Sequence, residues 1–227
     1  MLFNFYPFSD FNLVDDDKIY KLNFNLKRFP NTKNIALIAG NIAPNNSEIF
    51  WKFIDHISRI FDYAIFVPSS LEFYNSSYIE TIDNLTYNFS TNYPNVFLLN
   101  NDCIYFNDVL IIGSWFFCND AYDEEHIKTI LGFTENIQRS FYNRSKNYLF
   151  DVFSKVNKEK LTKIIVVCNK PPKKSHSEIL KNHEIIWIHG GNKKVGTFKA
   201  YNSDIISNQI GSMKEPNQRY NHRFMFN

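Results

Sequence analysis

Six clusters of polar and small residues stand directly after short apolar runs. They are Ser9-Asp10-Phe11-Asn12, Gly40-Asn41, Pro68-Ser69-Ser70-Leu71-Glu72, Gly113-Ser114, Asn169-Lys170-Pro171-Pro172 and His189-Gly190-Gly191-Asn192-Lys193. Together they offer carboxylates at Asp10 and Glu72, amides at Asn12, Asn41 and Asn169, an imidazole at His189 and ammonium groups at Lys170 and Lys193. Carboxylates and imidazoles hold divalent metals, and lysines hold phosphate as point charges. Asp10 with His176, His183 and His189 would supply a single-metal set, although no spacing among them repeats a known ligand pattern. Lys170 and Lys193, with His189 nearby, would hold a phosphate, or the two lysines would neutralise Asp10 or face solvent. Glu72 reads either as a reactive carboxylate or as an acceptor for neighbouring loop N–H groups, and the second role is the one expected.

Positioning these residues takes strands that end together, because ligands of open α/β sheets sit at the carboxyl ends of strands. The runs Ile35–Ala39, Ala64–Val67, Val96–Leu99, Val109–Ile112, Ile164–Cys168 and Ile185–Ile188 have the length and β-branched or aromatic content of buried strands. Between them, Ser47 caps a predicted helix running to about Phe61, with Ile49, Phe50, Phe53, Ile54, Ile57, Ile60 and Phe61 on one face. Further helices are predicted over Ser76–Phe89 and Asn143–Val156. Cys103–Phe106 and Val109–Ile112 flank Asn107-Asp108, a two-residue link that tolerates positive φ and so predicts a hairpin. Val195–Ala200 and Asp204–Ser207 read as strands, followed by an irregular tail ending in Phe224–Phe226. Strands alternating with helices early, and hairpins later, call for an α/β architecture with mixed sheets.

With 227 residues, 44% hydrophobic and 21% charged, the chain fits one domain spanning 1–227 with ample core material. Thirty asparagines, alongside many Lys, Ile, Phe and Tyr, point to an AT-rich genome, and composition alone accounts for the Asn-x-Ser/Thr triplets at Asn45, Asn75, Asn84, Asn88 and Asn143. The net charge of +2 predicts no polyanionic partner. The lysine-rich stretch Lys155–Lys194 is nevertheless a candidate nucleic-acid surface, weighed against a solvated face. Cys103, Cys118 and Cys168 are odd in number and widely spaced, which argues against a disulfide framework and for reduced thiols. The N-terminal MLFNFYPF is a poor signal peptide, and no apolar run nears the ~18 residues of a membrane span. A cytoplasmic location is expected, or a virion or virus factory if the genome is viral.

The ordered clusters resemble the motifs of the calcineurin-like metallophosphoesterase superfamily. SDFNL resembles SDLHL, IAGNIA resembles LAGDIG, VPSSLEFY resembles VPGNHEFY, VVCNKPP resembles VTHHPP, and WIHGGNK resembles WIHGHTH. The segment FLLNNDCIYFNDVLIIGSWFF resembles the family's hairpin and Gly-Ser-x-x-Trp turn, and ISNQIG with Glu215 and Asn217 resembles its closing loop. The likeness runs along essentially the whole chain. It implies a four-layer α/β/β/α sandwich with two mixed sheets.

The same resemblance implies a degenerate site. Family members hold two metals about 3.5–4 Å apart that activate a hydroxide. Carried over position by position, Asp10 keeps the first ligand. Asn12 stands for a histidine, Asn41 for the bridging aspartate, Ser70 for the asparagine ligand and Leu71 for the histidine that assists the leaving group. Asn169, Gly191 and Lys193 stand where further histidines belong. Amides are weak ligands, glycine supplies none and lysine repels a cation. The resemblance therefore implies a pseudoenzyme without metal or cofactor, kept for binding or assembly with a protein partner. The alternatives are an active phosphoric ester hydrolase with a rebuilt single-metal site, or a nucleic-acid or phosphate-binding module.

Overall fold

The computed structural model describes residues 1–13, 24, 26, 29–115, 129–191, 195–212, 215–216, 219–221 and 224–227. Cys118, Asn192, Lys193 and Asn217 lie outside them.

Two sheets stack face to face. The first has the order β1-β2-β3-β4, built from β1 (Leu2–Phe8), β2 (Thr32–Ile38), β3 (Tyr63–Phe66) and β4 (Val96–Leu98). The second has the order β5-β6-β7-β8-β10-β9, built from β5 (Asp102–Phe106), β6 (Val109–Ser114), β7 (Lys163–Cys168), β8 (Ile186–His189), β9 (Gly196–Ala200) and β10 (Ser203–Ser207). A short ribbon pairs β11 (Gly211–Ser212) with β12 (Glu215–Pro216). The second sheet is mixed, as expected, with the hairpin β5-β6 turning at Asn107 in the left-handed region. In the first, all four strands run parallel, and among the described residues its antiparallel contribution is the bridge from Phe5 to Phe226.

Successive strand residues enter different cores because side chains alternate across a sheet. In β2, Ile35 and Leu37 face the second sheet and join Ile65, Ile111, Ile165, Val167 and Ile188. Ala36 and Ile38 face outward, against Phe50, Phe53 and Ile54 of helix α1 (Glu48–Ile60) and Leu85 and Phe89 of α2 (Tyr78–Asn92). On the far side, Leu110, Ile112, Val166 and Trp187 pack under α3 (Glu135–Lys155) and α4 (Ser177–Asn182). The layers run α/β/β/α. Among the described residues, no helix is long and apolar enough to cross a membrane.

Helix α1 begins where predicted, with Ser47 Oγ accepting the Phe50 N–H. Helix α2 begins with Ser77 as its cap rather than Ser76. Helix α3 starts two turns earlier than predicted, capped by Thr134, because its first turns are polar and bury little. Strand β1 and helix α4 have no counterpart among the predicted elements.

Candidate functional site

Register brings the strand ends together. Phe8 pairs with Ile38, Ile38 with Phe66 and Phe66 with Leu98, so the turns leaving β1, β2 and β3 share one edge. Ser114 pairs with Cys168 and Cys168 with His189, which does the same for the second sheet. The parallel bridge of Ser9 to Gln209 joins the two edges, and the Ile210 and Gly211 N–H groups donate to the carbonyls of Ser9 and Asp10.

The rim turns need unusual backbone. Asp10, Asn12, Gly40, Asn41 and Gly191 all have φ between 46° and 67°. Apart from glycine, Asn and Asp are the residues that adopt this left-handed region most readily. Gly40 also meets a spatial limit, since a Cβ there would lie 2.4 Å from Ser69 Cβ. A Cβ on Gly190 would lie 2.6 Å from Asp10 Oδ2.

Asp10 is the centre of the network. Its Oδ1 accepts from Asn41 Nδ2 at 2.7 Å, and its Oδ2 accepts from the Gly191 N–H at 2.8 Å. Burial pushes its carboxyl above the usual range, while the Asn41 amide, the Gly191 N–H and the Lys170 ammonium oppose that shift. Asn41 Oδ1 accepts the Leu71 N–H at 3.4 Å, so both ends of this carboxamide are engaged. Asn12 Nδ2 donates to the Asp10 carbonyl at 3.1 Å and its N–H to the Asn41 carbonyl at 2.9 Å. Asn169 Nδ2 donates to Ser69 Oγ at 3.4 Å. Ser70 is half-buried at the start of a 3₁₀ turn, Ser70–Phe73.

Glu72 is fully buried and serves the backbone. Its carboxylate accepts from the N–H groups of Ile42 at 2.6 Å, Ser69 at 2.7 Å and Asn41 at 3.2 Å, tying the turn after β2 to the turn after β3. Burial raises its carboxyl to about 7 against the three N–H bonds. Behind it, Phe73 stacks on Trp115 with ring centroids 4.3 Å apart and on Tyr78 at 5.5 Å. Through that stack the Gly113-Ser114 turn is fixed against the Pro68–Glu72 turn. Ser114 Oγ itself donates to Asn101 Oδ1 at 2.7 Å.

Lys170 donates to the Gly191 carbonyl at 3.4 Å, and its own carbonyl accepts from Cys168 Sγ and Trp187 Nε1. His189 is buried with Nδ1 3.0 Å from the Gly190 carbonyl, and its carbonyl faces Ser9 Oγ at 3.5 Å. Burial holds its imidazole below the ordinary range. The two other histidines are elsewhere. His176 packs on Trp187 with its Nδ1 accepting the Lys173 N–H, and His183 packs on Phe153, both on the outer face under α3. The set Asp10, His176, His183 and His189 is therefore not assembled, because α4 and the turn before it carry His176 and His183 away from the rim. Among the described residues, no three His, Cys, Asp or Glu side chains group as metal ligands. The basic stretch is likewise divided, with Lys163 and Lys170 bracketing β7, roughly 20 Å apart.

A pair of divalent ions does not fit these residues. The position expected for a bridging carboxylate carries a carboxamide whose N–H end points at Asp10, and Asp10 has both oxygens committed to N–H donors. The sequence placed Ser9 and Ser69 in the rim clusters without giving either a role, and Asn101, which accepts from Ser114 Oγ, was missed.

No family model matches the chain. An uncharacterized protein of Acanthamoeba polyphaga mimivirus is 24% identical over 157 residues, covering 67% of this chain. The match spans 56% of that relative's length. Among solved structures, a phosphopantetheinyl hydrolase from Mycobacterium tuberculosis superposes with a TM-score of 0.71 at 10% identity, covering 99% of this chain and 95% of the other. A second solved chain gives 0.63 at 14% identity, covering 93% and 91%. The metallophosphoesterase-like α/β fold expected from the sequence is the fold of this chain.

Proposed function

We propose that the chain is a catalytically silent relative of the metallophosphoesterases, retaining a phosphoesterase-type fold for binding or assembly. One observation carries the reading: the carboxylate kept at the head of the expected ligand set has each oxygen held by an N–H donor, a carboxamide on one and a backbone amide on the other. A metal entering there would have to displace two hydrogen bonds to a buried carboxylate. It would gain only neutral amides, a hydroxyl and a glycine in return. The viral relative is in keeping with the Asn- and Lys-rich composition. We take residues 1–227 as one domain, since the core between the sheets draws on Phe5 and Phe226 alike.

Metal content and turnover test the proposal on the same preparation. The purified chain should carry well under one equivalent of any transition metal and should not hydrolyse bis(p-nitrophenyl) phosphate with added manganese. Stoichiometric metal together with turnover that disappears in Asp10→Ala would overturn it.

A further inference from the structure

Four turns, those leaving β1, β2, β3 and β8, meet at one carboxylate and one carboxamide. The hydrogen bonds between them have a direction. The Leu71 N–H donates to Asn41 Oδ1, Asn41 Nδ2 donates to Asp10 Oδ1, and the Gly191 N–H donates to Asp10 Oδ2. Position 10 must accept at both oxygens. Position 41 must accept at one atom and donate from the other, which a carboxamide does and an ionised carboxylate does not.

We infer that the Asp10–Asn41 pair is a polarity-matched lock that ties these turns together where charge on bound ions would otherwise do so, and that the rim admits one carboxylate and one carboxamide across these two positions. The inference rests on the reading of the site as catalytically silent. A second carboxylate at position 41 would face Asp10, so the pair would repel or have to take up a proton, a cost the carboxamide does not carry. Exchanging the two groups restores the pattern. An asparagine at position 10 would accept from the Gly191 N–H and donate to an aspartate at position 41, which would still accept the Leu71 N–H. The backbone does not oppose the exchange, because φ is 55° at Asp10 and 57° at Asn41, a region Asn and Asp both visit.

Thermal unfolding of four full-length proteins tests the lock: the wild type, Asn41→Asp, Asp10→Asn and the double exchange, each in EDTA and in manganese(II) chloride. In EDTA, Asn41→Asp should lose roughly 5–10 °C in Tm, and Asp10→Asn should also fall. The double exchange should recover at least half of the larger loss. If Asn41→Asp yields no folded protein, a folded double exchange supports the lock equally. An Asn41→Asp protein within a degree of wild type, or a double exchange that unfolds below both single variants or fails to fold, overturns it. The manganese arm separates this from the functional reading. Stabilisation of the wild type by manganese that Asp10→Asn abolishes, together with turnover, would sink the claim of catalytic silence, whereas an unmoved wild type with an unrecovered exchange would sink the lock alone.

Discussion

Glu72 and His176 are buried titratable groups of opposite sign. Burial raises Glu72 to about 7, so the fold favours its protonated form. That contribution is complete below the ordinary glutamate value and is lost as pH rises through 7. Burial, with Lys146 and Lys173 nearby, lowers His176 to about 4, so the fold favours the neutral ring. Its contribution is complete above the ordinary histidine value and is lost as pH falls through 4. Each shift corresponds to ~3 kcal/mol. Asp10, raised, and His189, lowered, add a second pair of the same signs. Between pH 4.5 and 6.5 the two effects oppose, and wild-type Tm should be nearly flat. Removing one partner should expose the other: Tm of Glu72→Gln should climb with pH and Tm of His176→Gln should fall, each by about 3 °C per pH unit. A wild-type slope as steep as either variant's would contradict the offset. The order of the rim residues was legible from the sequence, since Asn41, Asn169 and Gly191 each follow an apolar run in turn and Asp10 sits in the first polar cluster. The direction of the bonds among them was not, because an asparagine in a sequence does not reveal which end of its amide faces a neighbour.

Among elements, helix α1 was the most legible, because Ile49, Phe50, Phe53, Ile54 and Ile57 keep one periodic face and Ser47 supplies a cap. Strand β1 escaped notice because Asn4 interrupts its apolar residues. The structure shows why that is tolerated: Asn4 Nδ2 donates to Asn34 Oδ1 across the β1–β2 pair at 3.0 Å, giving each buried amide a partner. Gly113 in β6 packs hard against residues just beyond the ends of β3 and β4. A Cβ there would lie 2.1 Å from Leu99 Cβ and 2.9 Å from Val67 Cγ2. Those atoms belong to short, buried side chains that cannot swing aside. Gly113→Ala should therefore cost about 3 kcal/mol, lowering Tm by roughly 6–12 °C in a calorimetric scan. A change within a degree would show that the sheets separate more freely than this packing implies.

Across the whole molecule, the rim and the cores answer to different residues. Asn12, Asn41, Ser70, Leu71 and Gly191 stand at the mouth of the sandwich, whereas Ile35, Leu37, Ile65, Ile165 and Val167 pack between the sheets. The alternation within β2 has a further consequence for tolerance of insertions and deletions. Its neighbours Ile35 and Ala36 belong to different compartments, as do Leu37 and Ile38. Losing one residue would invert the parity of everything on one side of the gap, turning bulky side chains toward the helices and alanine toward the opposite sheet. Losing two would shorten the strand yet keep odd with odd and even with even. Length is thus the lesser constraint on this chain, and counting in twos is the greater.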